Sequence, residues 1–417
     1  MVNKKCYASL KRGVEYWNKW RKNNLHIQLD LKGANLSGKL LMGINFTGVD
    51  LAGATLVKTK FNGANLDGAN LTEANLTNAN LTGASLIGAT LTAANLIKTN
   101  HRSADFVGAN LSLADLAEAD LRVVDFTAAD LAGANFSQAN LNSANFLGAN
   151  LADTNFRLAQ LNKTDFKNAN LTRASFHKAD LTRANLEQTN LRKTNLVQAN
   201  LQQANLFQAD LDEANLREAN LTQANLSKSN LTKSCLAGAD LSQANLTRAN
   251  LTKANLRQAN LIKANLTQAN LLQTHAWGGN FNRCQLSGAC LEELQINSQS
   301  SFERVICQYL YLKSAQRRRR PKNIHKNLTS EEFKLIIQDL HGSTSIIFNG
   351  EIDWAIFRYT LRKLKRKYHA QTIEIRAIEF ISNHRLLVKI KVFPGSEVNA
   401  IKQYFCRKYE SLLPTKN

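Results

Sequence analysis

Three groups of basic side chains have the type and spacing to bind phosphate. Four arginines are consecutive: Arg317, Arg318, Arg319 and Arg320. Four cations share one face of a predicted helix: Arg358, Arg362, Lys365 and Arg366. Four more recur twenty residues apart, interrupted by Glu213: Arg173, Lys193, Lys233 and Lys253. Clustered cations attract nucleic acid with an affinity that falls steeply with added salt. Nucleic acid is therefore one candidate partner, bound through residues 315–369.

A solvated surface explains the same residues more simply. The net charge is +21, and 18 of these excess charges lie outside residues 31–300. Charged side chains on a linker and a helix keep a long, otherwise nearly neutral protein in solution. The sequence leaves both interpretations open.

No motif for catalysis occurs in the sequence. It lacks the glycine fingerprints of nucleotide-binding loops, the GxSxG nucleophile and the HExxH zinc motif. An active site also needs titratable groups that converge on one point, and no pattern here predicts one. We therefore expect a non-enzymatic protein without a cofactor.

The cysteines predict neither a metal site nor a disulfide framework. There is no CxxC pair, and no histidine lies at zinc-ligand spacing from a pair of cysteines: Cys6, Cys235, Cys284, Cys290, Cys307 and Cys406. We expect reduced thiols that pack as small apolar side chains. No run of about 18 apolar residues and no secretory leader occurs, which predicts a soluble cytoplasmic protein without a transmembrane segment.

A five-residue repeat occupies most of the chain. From Leu31 to Ile296 every fifth residue is Leu, Phe or Ile at 52 of 54 positions, the exceptions being His101 and Ala276. Two residues before each of these centres, Ala occupies 36 of 48 positions between residues 34 and 269. Neither a helix nor a strand has a period of five. The pattern predicts a coil in which each pentapeptide forms one side, with the large centre and the small residue inside.

Phenylalanine indicates the number of sides. Two sets recur at intervals of twenty and are offset by ten: Phe106, Phe126, Phe146 and Phe166, and Phe136, Phe156 and Phe176. A coil of twenty residues with four sides would stack them as ladders on two opposite sides, leaving Leu on the others. Alternating large and smaller side chains is how a narrow core reaches close packing. Asparagines twenty apart, such as Asn150, Asn170 and Asn190, would form outer ladders.

The repeat phrases identify a family resemblance. ANLTEANLTNANLTGASL (residues 69–86) and ADLTRANLEQTNLRKTNLVQANL (residues 179–201) resemble the pentapeptide repeat family, whose fold is a right-handed quadrilateral β-helix. Members that act on DNA topoisomerases are strongly acidic DNA mimics. Residues 31–300 carry a net charge of +3 here, and the acidic run is confined to Asp115, Asp120, Asp125 and Asp130. The charge argues against topoisomerase mimicry.

Two irregular positions interrupt the repeat. For His101 we favour a loosened side with the imidazole turned to solvent over a buried ligand or switch, because a lone histidine seldom has chemistry to do. At Ala276, the following Gly278 and Gly279 predict a bulge or small loop. After Ile296 the phase slips by one residue, so that Phe302, Cys307 and Leu312 become centres.

Both ends of the repeat differ from it. An amphipathic helix over residues 8–22, with Leu10, Val14 and Trp17 on one face, is expected to cap the first coil. After residue 327, Thr329 and Glu332 form a capping box, and an α-β-α-β-β-α order follows with a three-stranded sheet. This part, including IDWAIF at residues 352–357, is similar to the C-terminal module of large cyanobacterial-type family members.

The predicted architecture is an all-β solenoid, a right-handed quadrilateral β-helix with an N-terminal capping helix and a small C-terminal α+β domain. The expected parts are the cap at 1–30, the β-helix at 31–312, a basic linker at 313–327 and the α+β domain at 328–417. A long surface without a cleft favours a scaffold or protein–protein interaction protein, including a regulatory one, with an unidentified protein partner. Nucleic-acid binding through the linker and C-terminal module is the alternative.

Overall fold

The computed structural model describes residues 9–24, 27, 29–340, 343–349, 352–367, 373–382, 385–392 and 398–413. These residues form a long β-helix with a short helix at one end and helices and strands at the other. Cys6, Tyr368, Asn383 and His384 lie outside the described residues.

Parallel bridges between residues twenty apart define the coil. They run in unbroken register from the pair Asp30 and Asp50 to the pair His275 and Gln295. At each corner the chain turns through a residue in the left-handed region, two after the centre, such as Lys58 with φ 58°. A type II turn requires a positive φ at its third residue, which explains why glycine is frequent at this position. The predicted twenty-residue coil with four sides is confirmed.

The interior contains the side chains that the repeat places there. The Leu and Phe centres between residues 31 and 296 and the alanines before them are almost completely buried. Phe126 and Phe146 stack with ring centroids 4.9 Å apart, and Phe136 and Phe156 stack at 5.0 Å. Rings of the two sets meet edge to face, for example Phe146 and Phe156 at 6.1 Å. The two phenylalanine ladders are thus confirmed.

Asparagine ladders connect the coils on the outside. Asn170 donates its amide to Oδ1 of Asn150 at 3.1 Å, and Asn190 donates to Oδ1 of Asn170 at 3.3 Å. The same oxygens accept the backbone N–H two residues on, as Asn170 does from Thr172 at 3.3 Å. Each asparagine therefore supports its own corner as well as the coil below it.

The helix Val14–Lys22 (α1) closes the N-terminal end of the β-helix. Trp17 is fully buried against Phe46, with ring centroids 5.3 Å apart, and donates Nε1 to the Asn45 carbonyl at 2.7 Å. Asn18 accepts the Asn45 N–H at 2.8 Å. Arg21, outside the apolar face formed by Leu10, Val14 and Trp17, is also buried and donates to the Thr47 carbonyl at 2.5 Å. Side chains of α1 therefore form hydrogen bonds with backbone groups of the first coil. In the middle of the β-helix, the preceding coil would form these bonds.

The phase slip after Ile296 occurs as predicted, and the ring of Phe302 stacks on Phe281 at 4.7 Å. The bridge spacing there becomes twenty-one residues, from Asn280 to Ser301. The expected bulge at Gly278 and Gly279 does not appear, because Gly278 occupies the regular left-handed corner with φ 67°. The irregularity lies at residues 297–300.

Residues expected to form a solvated linker contain an ordered hairpin. Strand Leu310–Lys313 (β1) pairs antiparallel with Arg317–Arg320 (β2), and Tyr311 lies opposite Arg319. Leu310 is completely buried in the core of the β-helix, which we call the rod, and this burial attaches the hairpin to it. A tertiary anchor therefore overrides the basic composition that predicted a linker.

The helix Ser330–Leu340 (α2) packs on the rod, although the sequence assigned it to the C-terminal module. The predicted capping box is present, since Thr329 donates its backbone N–H to Glu332 at 2.9 Å and accepts the Glu332 N–H at 3.1 Å. Phe333 is buried in the same core as Phe302, with ring centroids 6.3 Å apart. We therefore propose that α2 is the C-terminal cap and that the separate unit begins after Leu340.

The remaining residues have a core of their own. Their elements are strand Ser343–Asn349 (β3), helix Trp354–Lys367 (α3), strands Ile373–Ser382 (β4) and Arg385–Val392 (β5), and helix Val398–Glu410 (α4). The sheet is antiparallel with order β3-β5-β4. Phe357 of α3 packs on Phe405 of α4 at 5.2 Å. Trp354, the first residue of α3, is 42% exposed.

Truncation distinguishes the two assignments of α2. A variant ending at Leu340 should keep the thermal unfolding midpoint of the rod. One ending at Asn327 should unfold at lower temperature and aggregate, because it uncovers Phe302 and an open coil. Circular dichroism melting and light scattering measure both effects. Equal behaviour of the two variants would contradict a capping role for α2.

Candidate functional site

The basic column of the rod is partly neutralised. Arg173 is bound to Asp153 one coil below, with Nε 2.6 Å from Oδ1, and this ion pair lowers the pKa of the Asp153 carboxyl. Glu213 lies between Lys193 and Lys233, at 3.7 and 3.2 Å, and hydrogen bonding from Lys233 lowers the pKa of Glu213. Two carboxylates therefore offset two of the four cations in this column, and Lys253 follows at its end.

The four consecutive arginines do not act as one charged group. Arg319 stacks on Tyr309, with Cζ 4.6 Å from the ring centroid, and donates Nη1 to the Pro321 and Asn323 carbonyls at 2.6 and 2.9 Å. Arg317 donates Nε to the Ser314 carbonyl at 3.2 Å. Arg319 and Arg320 are half-buried, whereas Arg317 and Arg318 are exposed. At least Arg319 thus serves to hold the hairpin and the loop that follows it.

The helix α3 carries the most exposed cluster of cations. It has no acidic residue in its sequence, and its four predicted candidates are all exposed: Arg358, Arg362, Lys365 and Arg366. Lys367 lies over the Tyr404 ring at 4.1 Å, and Lys363 over Tyr359 at 5.5 Å. The structure therefore presents these four cations together, apart from the run at 317–320.

An apolar strip on one side of the rod was missed by the sequence reasoning. Ile87, Val107, Thr127 and Leu147 follow one another in a column at equivalent positions, and Ile87 and Leu147 are 43% and 38% exposed. The neighbouring corner residues include Gly88, Gly108 and Gly148, where an added Cβ would meet nothing within 4 Å. The signal was available as apolar residues twenty apart at an outward position, next to glycines.

Acidic groups border this apolar strip. Asp105 lies two residues before Val107, and Asp125 lies two residues before Thr127. The backbones of Asp105 and Asp125 form a parallel bridge across one coil. Each uses Oδ1 to accept a backbone N–H, from Val107 at 2.9 Å and from Thr127 at 2.8 Å. The strip residues and the residues directly after them carry no charge. These pairs are residues 87–88, 107–108, 127–128 and 147–148. The strip combines exposed apolar area with adjacent negative charge.

The expectation for His101 was wrong. Its ring is completely buried in the regular core position, 5.3 Å from the ring of Phe106, and the coil there is not loosened. Neither Nδ1 nor Nε2 has a hydrogen-bond partner among the described residues. Burial lowers the pKa of His101 to about 3, and Asp120 opposes this effect only in part. The surrounding coils hold the side in register, so the imidazole stays inside despite losing its hydration.

Neither a metal centre nor a membrane-spanning helix is found among the described residues. No three His, Cys, Asp or Glu side chains come together in a way that would hold an ion. Within the same residues, no helix is both long enough and apolar enough to cross a bilayer.

Cys284 lies in the core and donates its thiol to the Leu261 carbonyl at 2.8 Å. Burial raises the pKa of this thiol to about 12.

Comparison with protein families matches the repeats directly. The family model described as pentapeptide repeats matches overlapping segments that together cover residues 28–92 and 149–297. A second model, described as a pentapeptide repeat region, matches residues 79–156. The chain belongs to the pentapeptide repeat family. Its rod is accordingly a right-handed quadrilateral β-helix. A search of curated proteins finds no match.

Solved structures of pentapeptide repeat proteins are similar to part of this chain. HetL, involved in heterocyst differentiation regulation in the cyanobacterium Nostoc sp., is 36% identical, with 52% of this chain and 88% of HetL covered and a TM-score of 0.39. QnrB1, a plasmid-mediated fluoroquinolone resistance protein, is 19% identical, with 45% and 89% covered and a TM-score of 0.28. Rfr23 from the cyanobacterium Cyanothece is 31% identical, with 26% and 64% covered and a TM-score of 0.16.

Replacing His101 with Leu should stabilise the rod. Near pH 7 the free energy of unfolding should rise by about 1–3 kcal/mol, because two unpartnered buried nitrogens are removed. The folded-state pKa of about 3 lies below the ordinary value of 6.5, so the wild type loses stability as the pH falls from 6.5 towards 3. At pH 5 the difference between variant and wild type should therefore be about 2 kcal/mol larger than at pH 7.

Chemical denaturation at both pH values measures this difference. His177→Leu is the control, since His177 lies half-buried at an outward position. An unchanged pH dependence in His101→Leu would contradict the assignment of a buried neutral imidazole.

Proposed function

We propose that this chain is a non-enzymatic scaffold that binds a protein partner on its rod. The apolar strip supports this proposal most directly, since exposed apolar patches mark interaction surfaces. Ile87 and Leu147 are three coils apart, which at about 4.8 Å per coil gives a strip roughly 14 Å long. A strip of this length accommodates two to three turns of an amphipathic helix.

The neighbouring charges specify the chemistry of the partner. Asp105 and Asp125 flank the strip, so a segment with apolar residues bordered by Lys or Arg would be complementary to it. The regular coils give this surface a rigid backbone, which reduces the ordering cost of binding. A regulatory role would follow if the rod brings such a segment together with the unit after Leu340.

Lysine substitutions on the strip test the scaffold proposal. Ile87→Lys combined with Leu147→Lys should reduce capture of the partner by at least about tenfold, because binding would have to desolvate two charges. Lysine is compatible with this column, since Lys167 occupies the position one coil beyond Leu147. Affinity purification from the native host with quantitative mass spectrometry identifies partners, and titration of the purified partner measures the loss.

The control places the same charges elsewhere on the same side. Ser227→Lys combined with Thr267→Lys changes equivalent positions without touching the apolar strip. Partners retained equally by both double variants would argue against the strip. A variant ending at Leu340 shows separately whether the α+β unit contributes, and it keeps the proposed cap.

The exposed face of α3 favours nucleic acid as a second candidate. Its four cations lie on a helix without acidic residues, whereas the rod column has carboxylates beside its cations. Phosphate binding through this face would release counterions and depend strongly on salt.

Variants that remove equal charge from α3 or from the rod distinguish nucleic-acid binding at α3 from attraction by the net charge of the whole protein. Changing Arg358, Arg362, Lys365 and Arg366 to Ala should abolish most nucleic-acid affinity and lower the salt slope by about three to four. Changing Arg173, Lys193, Lys233 and Lys253 to Ala removes the same net charge but should leave most of the affinity. Fluorescence anisotropy with duplex and single-stranded probes at several salt concentrations measures both. Absence of binding by the wild type, or equal loss in the two variants, would reject this candidate.

A further inference from the structure

A cavity of about 590 Å³ lies between the hairpin β1–β2 and the rod. The rod contributes Arg248, Gln268 and Asn270 to its lining, and the hairpin contributes Tyr309, Tyr311 and the turn at residues 314–316. This volume lies in the range of sites that hold small organic ligands. Two aromatic rings, one guanidinium and several amides therefore face a common space.

The walls of this cavity are fixed by local contacts. A Cβ at residue 288 would lie 3.1 Å from Oη of Tyr309, and Gly288 has φ 75°, so glycine is what lets the tyrosine lie against the rod. Arg319 covers Tyr309 from the hairpin, and Glu292 accepts the Ser314 N–H at 2.6 Å. The cavity is preformed, which reduces the cost of binding.

The charge of the cavity favours an anion. Arg248 donates Nε to Oε1 of Gln268 at 2.6 Å, so this contact orients the guanidinium without neutralising it. Arg173, in contrast, is bound to a carboxylate. The lining residues themselves include no acidic side chain, and the Glu292 carboxylate at the wall is bound to the Ser314 N–H. Lys313 and Arg317 lie opposite each other across the strands next to the turn.

The aromatic and amide groups favour a planar heterocycle attached to that anion. Tyr309 and Tyr311 meet edge to face with centroids 5.9 Å apart. Tyrosine rings provide stacking surfaces for bases, and amides can hydrogen-bond to base edges. We propose that this cavity binds a nucleoside phosphate, with the phosphate at Arg248 and the base against Tyr311. The free nucleotide and the terminus of a single strand offer the same chemistry.

The proposal is independent of partner binding on the apolar strip and of the cations on α3. It is tested on the full-length protein with a fluorescent ATP analogue, with unlabelled ATP, adenosine, inorganic phosphate and a single-stranded oligonucleotide as competitors. ATP should displace the analogue at concentrations at least tenfold lower than adenosine or phosphate alone. A lower half-maximal concentration for the oligonucleotide than for ATP would identify a strand terminus as the source, and the reverse would identify the free nucleotide.

Variants locate the binding site. Arg248→Ala should weaken binding by about tenfold or more, through loss of a charged hydrogen bond. Tyr311→Ala should weaken it by about fivefold or more, while Tyr311→Phe keeps the ring and most of the affinity. The matched control is Arg183→Ala, since Arg183 makes the same contact with Gln203, at 2.8 Å, on another side of the rod.

Thermal melting verifies that each variant remains folded. Absence of analogue binding by the wild type would overturn the proposal. Equal affinities of Arg248→Ala and Arg183→Ala would also overturn it, because the phosphate would then not be held at the hairpin.

Discussion

The interior of the rod has room for one large and one small side chain on each side of every coil, and the rest of the molecule depends on this limit. The centre and the alanine before it fill that space, so an extra residue must be absorbed locally, as it is at residues 297–300, for the following side chains to stay in the core. Parallel bridges at intervals of twenty persist without interruption from Asp30 to Gln295. Because the interior uses two positions in five, and two of the others serve the left-handed corner and the asparagine ladder, sequence variation along the rod concerns only what these outward side chains present to solvent.

The same constraint makes the two ends different problems. A coil in the middle satisfies its backbone groups above and below, whereas a terminal coil needs partners of another kind. At the first coil these partners are the side chains of α1, with buried Trp17 and Arg21 reaching backbone carbonyls. At the last coil Phe333 of α2 covers the degenerate repeats at Phe302. The caps thus use unrelated chemistry for the same physical task.

The core could be predicted from the sequence because its signals are local and periodic. Phenylalanines twenty apart gave the coil size, and the rings stack as that size requires. The burial of His101 could not be predicted, since its own residue type favours solvent while neighbouring coils hold it inside. The packing of α2 on the rod could not be predicted either. The capping box determines where this helix begins, but it gives no information on what the helix packs against. The cavity at the hairpin could not be predicted either. Only the pairing of β1 with β2 shows that Tyr309 and Tyr311 lie close to Arg248.

Stacking at regular intervals also determines which charges remain available for binding. Residues one coil apart in a column are close enough to form ion pairs, as Lys98 does with Glu118 at 3.4 Å and Lys167 with Glu187 at 3.0 Å. Such exposed pairs contribute little to stability, but they cancel the field that would attract a ligand. A cation whose stacked neighbour is a neutral amide, such as Arg248 beside Gln268, keeps its field. The count of positive residues along the rod is therefore a poor guide to binding, and the identity of the residue one coil away is a better one.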